Sequence, residues 1–158
     1  RLPVQFARGG QERADSVRAG LRALAPSTRY CLVHDGARPL IRPEVIRQAL
    51  GAARRDGASV VARPVTDTIK RLPPGTTERV LLEDLRRDTL WAMETPQVFR
   101  RDWLEDGYRL ADKVTDDTAA VGALGHGVTL ISNPHPNPKV TRPEDLAWVE
   151  FLLQRSPA

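Results

Sequence analysis

Apolar residues mark out the first half of the chain. Across residues 13–24, RADSVRAGLRAL, Ala14, Val17, Leu21 and Leu24 recur at three- and four-residue intervals. That spacing puts them on one face of a helix, and Pro26 ends it. Residues 30–35 form a short, nearly continuous apolar run, as in a strand covered on both sides. Pro43 opens a second helix, with Ile46, Ala49, Leu50 and Ala53 inward and Gly57 as its stop. ASVVARPV, residues 58–65, predicts a second strand. Helix followed by strand, twice over, predicts an α/β fold: a mostly parallel sheet with crossover helices on both faces.

From residue 66 the rhythm breaks. TDTIKRLPPGTTERVLLEDLRRDTLWAMETPQ has no helical period and carries the turn PPGT at 73–76. It predicts a protruding two-stranded arm over about residues 66–92, folded at that turn. Such an arm has little core of its own, so a second subunit is the expected surface beneath it. Beyond it, residues 101–113 predict a helix with Trp103, Leu104, Tyr108 and Ala111 inward. A short Ala-rich helix follows at 116–124, stopping at Gly125, and then a strand at 127–133, GVTLISN. A last helix opens at TRPE, 141–144, where Thr141 is expected to cap and Glu144 to reach back. Leu146, Val149 and Leu153 would form its buried stripe. The whole, residues 1–158, reads as one domain plus the arm, without internal repeats or linkers.

Composition narrows the function classes. A chain of 158 residues with 41% hydrophobic and 28% charged residues is ordinary for one globular domain. No apolar run approaches membrane-spanning length, and the opening RLPVQFARGGQERAD lacks the apolar core of a secretory signal. The single cysteine, Cys31, cannot form an internal disulfide. The cytoplasm is the expected compartment, with no membrane partner. The net charge of +4 comes from 21 Arg and 3 Lys scattered among 20 acidic residues, and only 5% of residues are aromatic. That is no basic stripe with stacking rings, so nucleic acid is not an expected partner. A phosphate-bearing small molecule suits the same charge.

In parallel α/β sheets, ligands bind beyond the carboxyl ends of the strands. YCLVHDGARPLI, residues 30–41, delivers Asp35, Gly36 and Arg38 to such an end. An aspartate there can meet a metal ion or a sugar hydroxyl, and an arginine suits a phosphate. Alternatively, Asp35 caps the loop and pairs with Arg38. RGGQERADS, 8–16, sets two glycines before a helix start, either an anion-binding N-terminus or a plain turn. In KVTDD, 113–117, Thr115 is the expected cap of the following helix. In NPHPNPKVTRPEDL, 133–146, three prolines stiffen the loop that presents Lys139. His34, His126 and His135 have no ligand-like spacing with each other or with Cys31, so no zinc site is expected.

Five segments, VHDGARP at 33–39, PVTDTIKR at 64–71, LWAMETPQVF at 90–99, VTDD at 114–117 and KVTRPEDL at 139–146, occur in an order and spacing that resembles the 2-C-methyl-D-erythritol 4-phosphate cytidylyltransferases of non-mevalonate isoprenoid synthesis. The resemblance covers nearly the whole chain. It implies a Rossmann-like sheet, CTP and 2-C-methyl-D-erythritol 4-phosphate as substrates, Mg2+ carried mainly on the triphosphate near Asp35, and a homodimer joined through the β-arm. It also implies roles. Gly10, Gln11 and Ser16 would contact the nucleotide, Gln11 standing where the family more often has aspartate. Asp35 would meet the methylerythritol hydroxyls near the metal-triphosphate, and Gly36, where alanine is more usual, would lie against the nucleotide. Arg38 would sit in the substrate pocket. Thr68 and Arg87 would come from a neighbouring subunit's arm, and Thr95, Thr115 and Lys139 would complete the pocket. Arg87 and Lys139 would be the catalytic cations on the attacking phosphate. The family places a glycine-rich nucleotide loop ahead of the segment that residues 1–158 resemble, so these residues alone are expected to lack catalytic competence. A ribitol 5-phosphate cytidylyltransferase and an inactive nucleotide-binding fragment are the alternatives.

Overall fold

The computed structural model of the chain describes residues 3–75, 79–110 and 116–155. The elements of the first half follow the hydrophobic pattern, but the strand from Tyr30 is not covered on both sides: it lies at the edge of the described sheet and its Leu32 is exposed. Helix α1 spans Arg13–Ala23, strand β1 Tyr30–Val33, helix α2 Pro43–Asp56 and strand β2 Ala58–Pro64. Pro43 occupies the first turn of α2, where its missing N–H costs nothing. Gly57 closes the helix at φ 92°, and a Cβ there would lie 2.2 Å from the Trp103 ring, so only glycine fits. The buried stripe of α2 is Val45, Ala49, Ala52 and Ala53. It is rotated from the expected one: Val45 takes the central place predicted for Ile46, and Leu50 packs at its margin.

The arm is shorter than the sequence suggests. Strands β3, Lys70–Arg71, and β4, Glu83–Asp84, form a minimal antiparallel ladder. It is laced by ion pairs from Lys70 to Asp84 and from Arg71 to Glu83. Ile69, Leu72, Leu81 and Leu82 stay exposed on or beside it. Past a short 3-10 turn at Arg87–Thr89, the chain enters β5, Trp91–Arg100. The sequence pattern assigns the start of this stretch to the arm; it is instead a ten-residue strand inside the sheet. Its sequence disguises it, because Glu94, Thr95, Pro96 and Gln97 are all buried there and interrupt the apolar run that marks a central strand.

Among the described residues, β1, β5, β2 and β6 (Thr129–Ser132) form a four-stranded sheet in that order. β1, β2 and β6 run in one direction, and β5 runs against both of its neighbours. One face is covered by α1, α3 (Arg101–Leu110) and α4 (Asp117–Gly122), through Leu21, Cys31, Ala58, Phe99, Leu104, Tyr108 and Val121. The other is covered by α2, through Val45, Ala49 and Ala53 against Val61 and Val98. Phe99 is wholly buried, and truncating such a side chain to alanine costs about 3–5 kcal/mol. The register between β2 and β5 breaks at one place: Val60 faces Gln97 but Ala62 faces Met93. β5 therefore bulges at residues 94–96, which also absorbs the N–H that Pro96 lacks.

Two helix starts differ from expectation. Asp116, not Thr115, caps α4, its carboxylate accepting the Ala119 N–H at 2.8 Å; Thr115 and Ala111 lie outside the described residues. The last helix, α5, begins at Asp145 rather than at 141 and ends at Arg155. The residue that reaches back is Asp145, not Glu144: its Oδ2 accepts the backbone N–H groups of Thr141 at 2.7 Å and Arg142 at 2.9 Å. Only Val149 of the expected stripe is buried, while Leu146 and Leu153 are exposed. No helix among the described residues is long and apolar enough to cross a membrane.

Candidate active site

Because β1, β2 and β6 point the same way, the loops that leave them gather on one rim of the sheet. The loop after β1 carries His34 to Arg38, and the loop after β6 carries Asn133 to Lys139. β5 enters at the same rim, so its bulge brings Glu94 and Thr95 between them.

Asp35 is the centre of this rim. Its Oδ2 lies 3.1 Å from Lys139 Nζ and 3.3 Å from Arg38 Nε. Burial, the largest single influence, pushes the Asp35 carboxyl up. Lys139 and then Arg38 together outweigh it and hold the group below the usual carboxylate value. The backbone is pinned as firmly as the side chain. The Asp35 N–H donates to Thr95 Oγ1 at 3.0 Å. The Thr95 hydroxyl is paired with His34 Nδ1 at 2.9 Å, and His34 Nε2 lies 3.1 Å from the Arg38 carbonyl oxygen. A carbonyl can only accept, so Nε2 carries the proton and Nδ1 receives the hydroxyl hydrogen of Thr95. Thr95 thus ties β5 to both ends of the Asp35 loop.

Two cavities flank that loop. One, of about 570 Å³, is lined by Arg13, Ser16, Val17, Asp35 and Gly36 between α1 and β1. The other, of about 630 Å³, is lined by Arg38, Arg63, Met93, His135, Lys139 and Trp148. A larger cavity of about 770 Å³ lies at the far end of β1, around Tyr30, Arg100 and Glu105, and includes none of the candidate site residues named from the sequence. On the α1 side, the Gly10 N–H donates to Ser16 Oγ at 3.3 Å, folding the glycine pair over the helix start. A Cβ on Gly10 would overlap that of Asp15 at 2.2 Å, so the approach requires glycine. Beneath α1, Asp117 is completely buried and accepts from both Arg13 and Tyr108. That junction locks α1 to α3 and α4.

Comparison with known proteins decides the family. The family model described as 2-C-methyl-D-erythritol 4-phosphate cytidylyltransferase matches residues 2–155. The chain belongs to that family. A protein of that name from Pelotomaculum thermopropionicum is 41% identical over 150 residues, covering 92% of this chain and 62% of the relative. Another, from Alkaliphilus metalliredigens, is 44% identical over 151 residues, covering 93% and 61%. The crystal structure of the enzyme of the same name from Thermus thermophilus superposes with a TM-score of 0.81 at 32% identity, over 94% of this chain and 72% of that one. The chain spans about three fifths of the length of those curated relatives.

Within this fold, the residues expected from the sequence fall into three groups, apart from Thr115, which lies outside the described residues. Asp35, Arg38, Thr95 and Lys139 meet directly. Gly10, Gln11, Ser16 and Gly36 belong to the α1 side, where Ser16 and Gly36 line one cavity together with Asp35. Thr68 and Arg87 stand on the exposed arm and line neither cavity; Arg87 Nη1 donates to the Thr66 carbonyl oxygen at 2.8 Å. Sequence reasoning misses His34, Glu94 and Asn137. In the sequence His34 is weighed only as a metal ligand and set aside for want of ligand-like spacing, and the buried amides and carboxylate have no periodicity to announce them.

Proposed function

We propose that the complete protein transfers a cytidylyl group from CTP to 2-C-methyl-D-erythritol 4-phosphate in non-mevalonate isoprenoid precursor synthesis. An oxygen of the acceptor phosphate attacks the α-phosphorus of CTP, the bond to the β-phosphate bridge breaks, and pyrophosphate leaves with the electron pair. The observation that carries this reading is the pair of cavities on either side of one loop, with Asp35 reaching the α1 side and Lys139 and Arg38 the other. The nucleotide occupies the α1 side, over Gly10, Gln11, Ser16 and Gly36. The acceptor occupies the other, with Lys139 and Arg38 drawing its phosphate, and its hydroxyls turn toward Asp35, whose carboxylate stands between the two sides in its pairs with those cations. Such a reaction needs alignment and cationic screening rather than a covalent intermediate.

Among the described residues, no three of His, Cys, Asp and Glu gather as a metal-holding group. Mg2+ is commonly held by substrate phosphates and one or two carboxylates, and Asp35 is the carboxylate placed to meet it. When bound, the ion screens the charge that develops on the phosphoryl oxygens.

The exposed leucines of the arm support a homodimer in which Thr68 and Arg87 of each arm complete the partner's pocket. The cytoplasm suits substrates of this kind. The test is the complete protein incubated with CTP, Mg2+ and 2-C-methyl-D-erythritol 4-phosphate, with pyrophosphate and the CDP-linked alcohol followed by 31P NMR. Ribitol 5-phosphate runs in parallel. Preference for ribitol 5-phosphate, or no pyrophosphate with either acceptor, overturns the proposal.

A further inference from the structure

The loop that presents Lys139 is held from below by a buried carboxylate. Glu94 sits in the β5 bulge, only 4% exposed. Its Oε2 accepts from Asn133 Nδ2 at 3.0 Å and from Asn137 Nδ2 at 2.9 Å, and its Oε1 lies 3.4 Å from Arg63 Nε. Asn133 and Asn137 bracket the proline-rich segment, so one carboxylate gathers both ends of it. Asn137 is fixed further: the same Nδ2 donates to the Thr95 carbonyl at 3.1 Å, and its own backbone carbonyl accepts Arg38 Nη1 at 2.7 Å. With two acceptors facing Nδ2, the amide has only one workable orientation. The Val140 N–H, beside Lys139, donates to the Ala37 carbonyl at 2.8 Å. The chain of contacts therefore runs from Glu94 through Asn137 to Arg38, and through the stiffened loop to Lys139.

We infer that Glu94 is a positioning residue that acts through Lys139, by setting the height of the Asn133–Lys139 loop over Asp35. The inference rests on the proposed cytidylyl transfer for its kinetic consequence, while its structural consequence stands independently. A buried carboxylate that collects two amide donors is costly to remove, because both donors lose their partner away from water. Proline rigidity then transmits the displacement along the loop instead of absorbing it locally.

The experiment uses the complete protein carrying Glu94→Ala, Glu94→Asp or Glu94→Gln, each with and without Lys139→Ala. Glu94→Ala should lower kcat/KM for the acceptor phosphate about 10- to 30-fold and leave the KM for CTP within about twofold. Glu94→Gln keeps an oxygen that can accept from both asparagines, so it should stay within about threefold of the parent. With Lys139→Ala already in place, most of the loss from Glu94→Ala should vanish. A loss that persists in full on that background, or one that falls equally on CTP, overturns the inference. If Glu94→Ala fails to fold, Glu94→Asp, too short to reach both amides, must show the same pattern. Amide hydrogen exchange separates this inference from the proposed function: Val140 should exchange at least about tenfold faster in Glu94→Ala than in Glu94→Gln, whether or not the parent turns over substrate. Equal exchange in the two variants refutes the positioning role.

Discussion

Lys139 Nζ stands 3.1 Å from Asp35 Oδ2, joining the loop after β6 to the loop after β1. Asp35 is partly buried, and Lys139 and Arg38 offset the cost of that burial. A phosphate entering beside Lys139 would compete with Asp35 for the same ammonium, so binding and the internal ion pair are coupled.

Lys139→Ala should therefore raise the titration midpoint of Asp35. A carboxyl held below its unfolded value contributes stability that is present above about pH 3.9 and lost as pH falls through the folded midpoint. With Lys139 gone, burial, the largest influence on Asp35, is opposed mainly by Arg38. Carboxyl 13C NMR across pH 2–6 measures the shift, and an unchanged midpoint would show that the pair does not exist in solution. The same variant should lose acceptor turnover about 100-fold or more, with CTP affinity nearly unchanged.

Asp117 should be the most costly buried polar residue to truncate. It accepts from Arg13 and Tyr108 at a site without solvent. Asp117→Ala strands a guanidinium and a hydroxyl, a loss of about 3 kcal/mol, near the low end for buried pairs because Arg13 is partly exposed. Tyr108→Phe should cost about 1 kcal/mol. Urea unfolding of both variants gives the comparison, and a smaller loss for Asp117→Ala than for Tyr108→Phe would contradict the junction.

Cys31 should be inert in the native protein. Burial, then the nearby charge of Asp117, pushes its thiol up to about 12, so almost no thiolate exists at neutral pH. Labelling with a thiol reagent at pH 8 should proceed at the rate of unfolding and accelerate in urea. Rapid labelling without denaturant would place Cys31 outside the core.

Leu72 and Leu81 should carry the proposed homodimer contact, since both are exposed large apolar residues on either side of a ladder too small to stand alone. The double replacement Leu72→Glu and Leu81→Glu should shift the complete protein toward monomer in light scattering and make its unfolding midpoint independent of protein concentration. A dimer of undiminished strength would rule out the arm as the joining element.

Much of this was legible in one dimension. The periods of α1, α2 and α3, Pro26 after the first and Pro43 and Gly57 around the second, and the apolar runs of β1 and β2 announce their elements, because local geometry alone dictates those patterns. The five short motifs carried the family and pointed to Asp35, Arg38, Thr95 and Lys139 as neighbours. Tertiary structure alone decided the rest. It turned a polar, proline-bearing stretch into the central strand β5, because Glu94, Thr95 and Gln97 find buried hydrogen-bond partners that no sequence period records. It also set the rotation of the α2 stripe and left Leu146 and Leu153 of α5 uncovered. A helical period shows which residues share a face, and only the neighbouring elements determine whether that face is buried and at what angle.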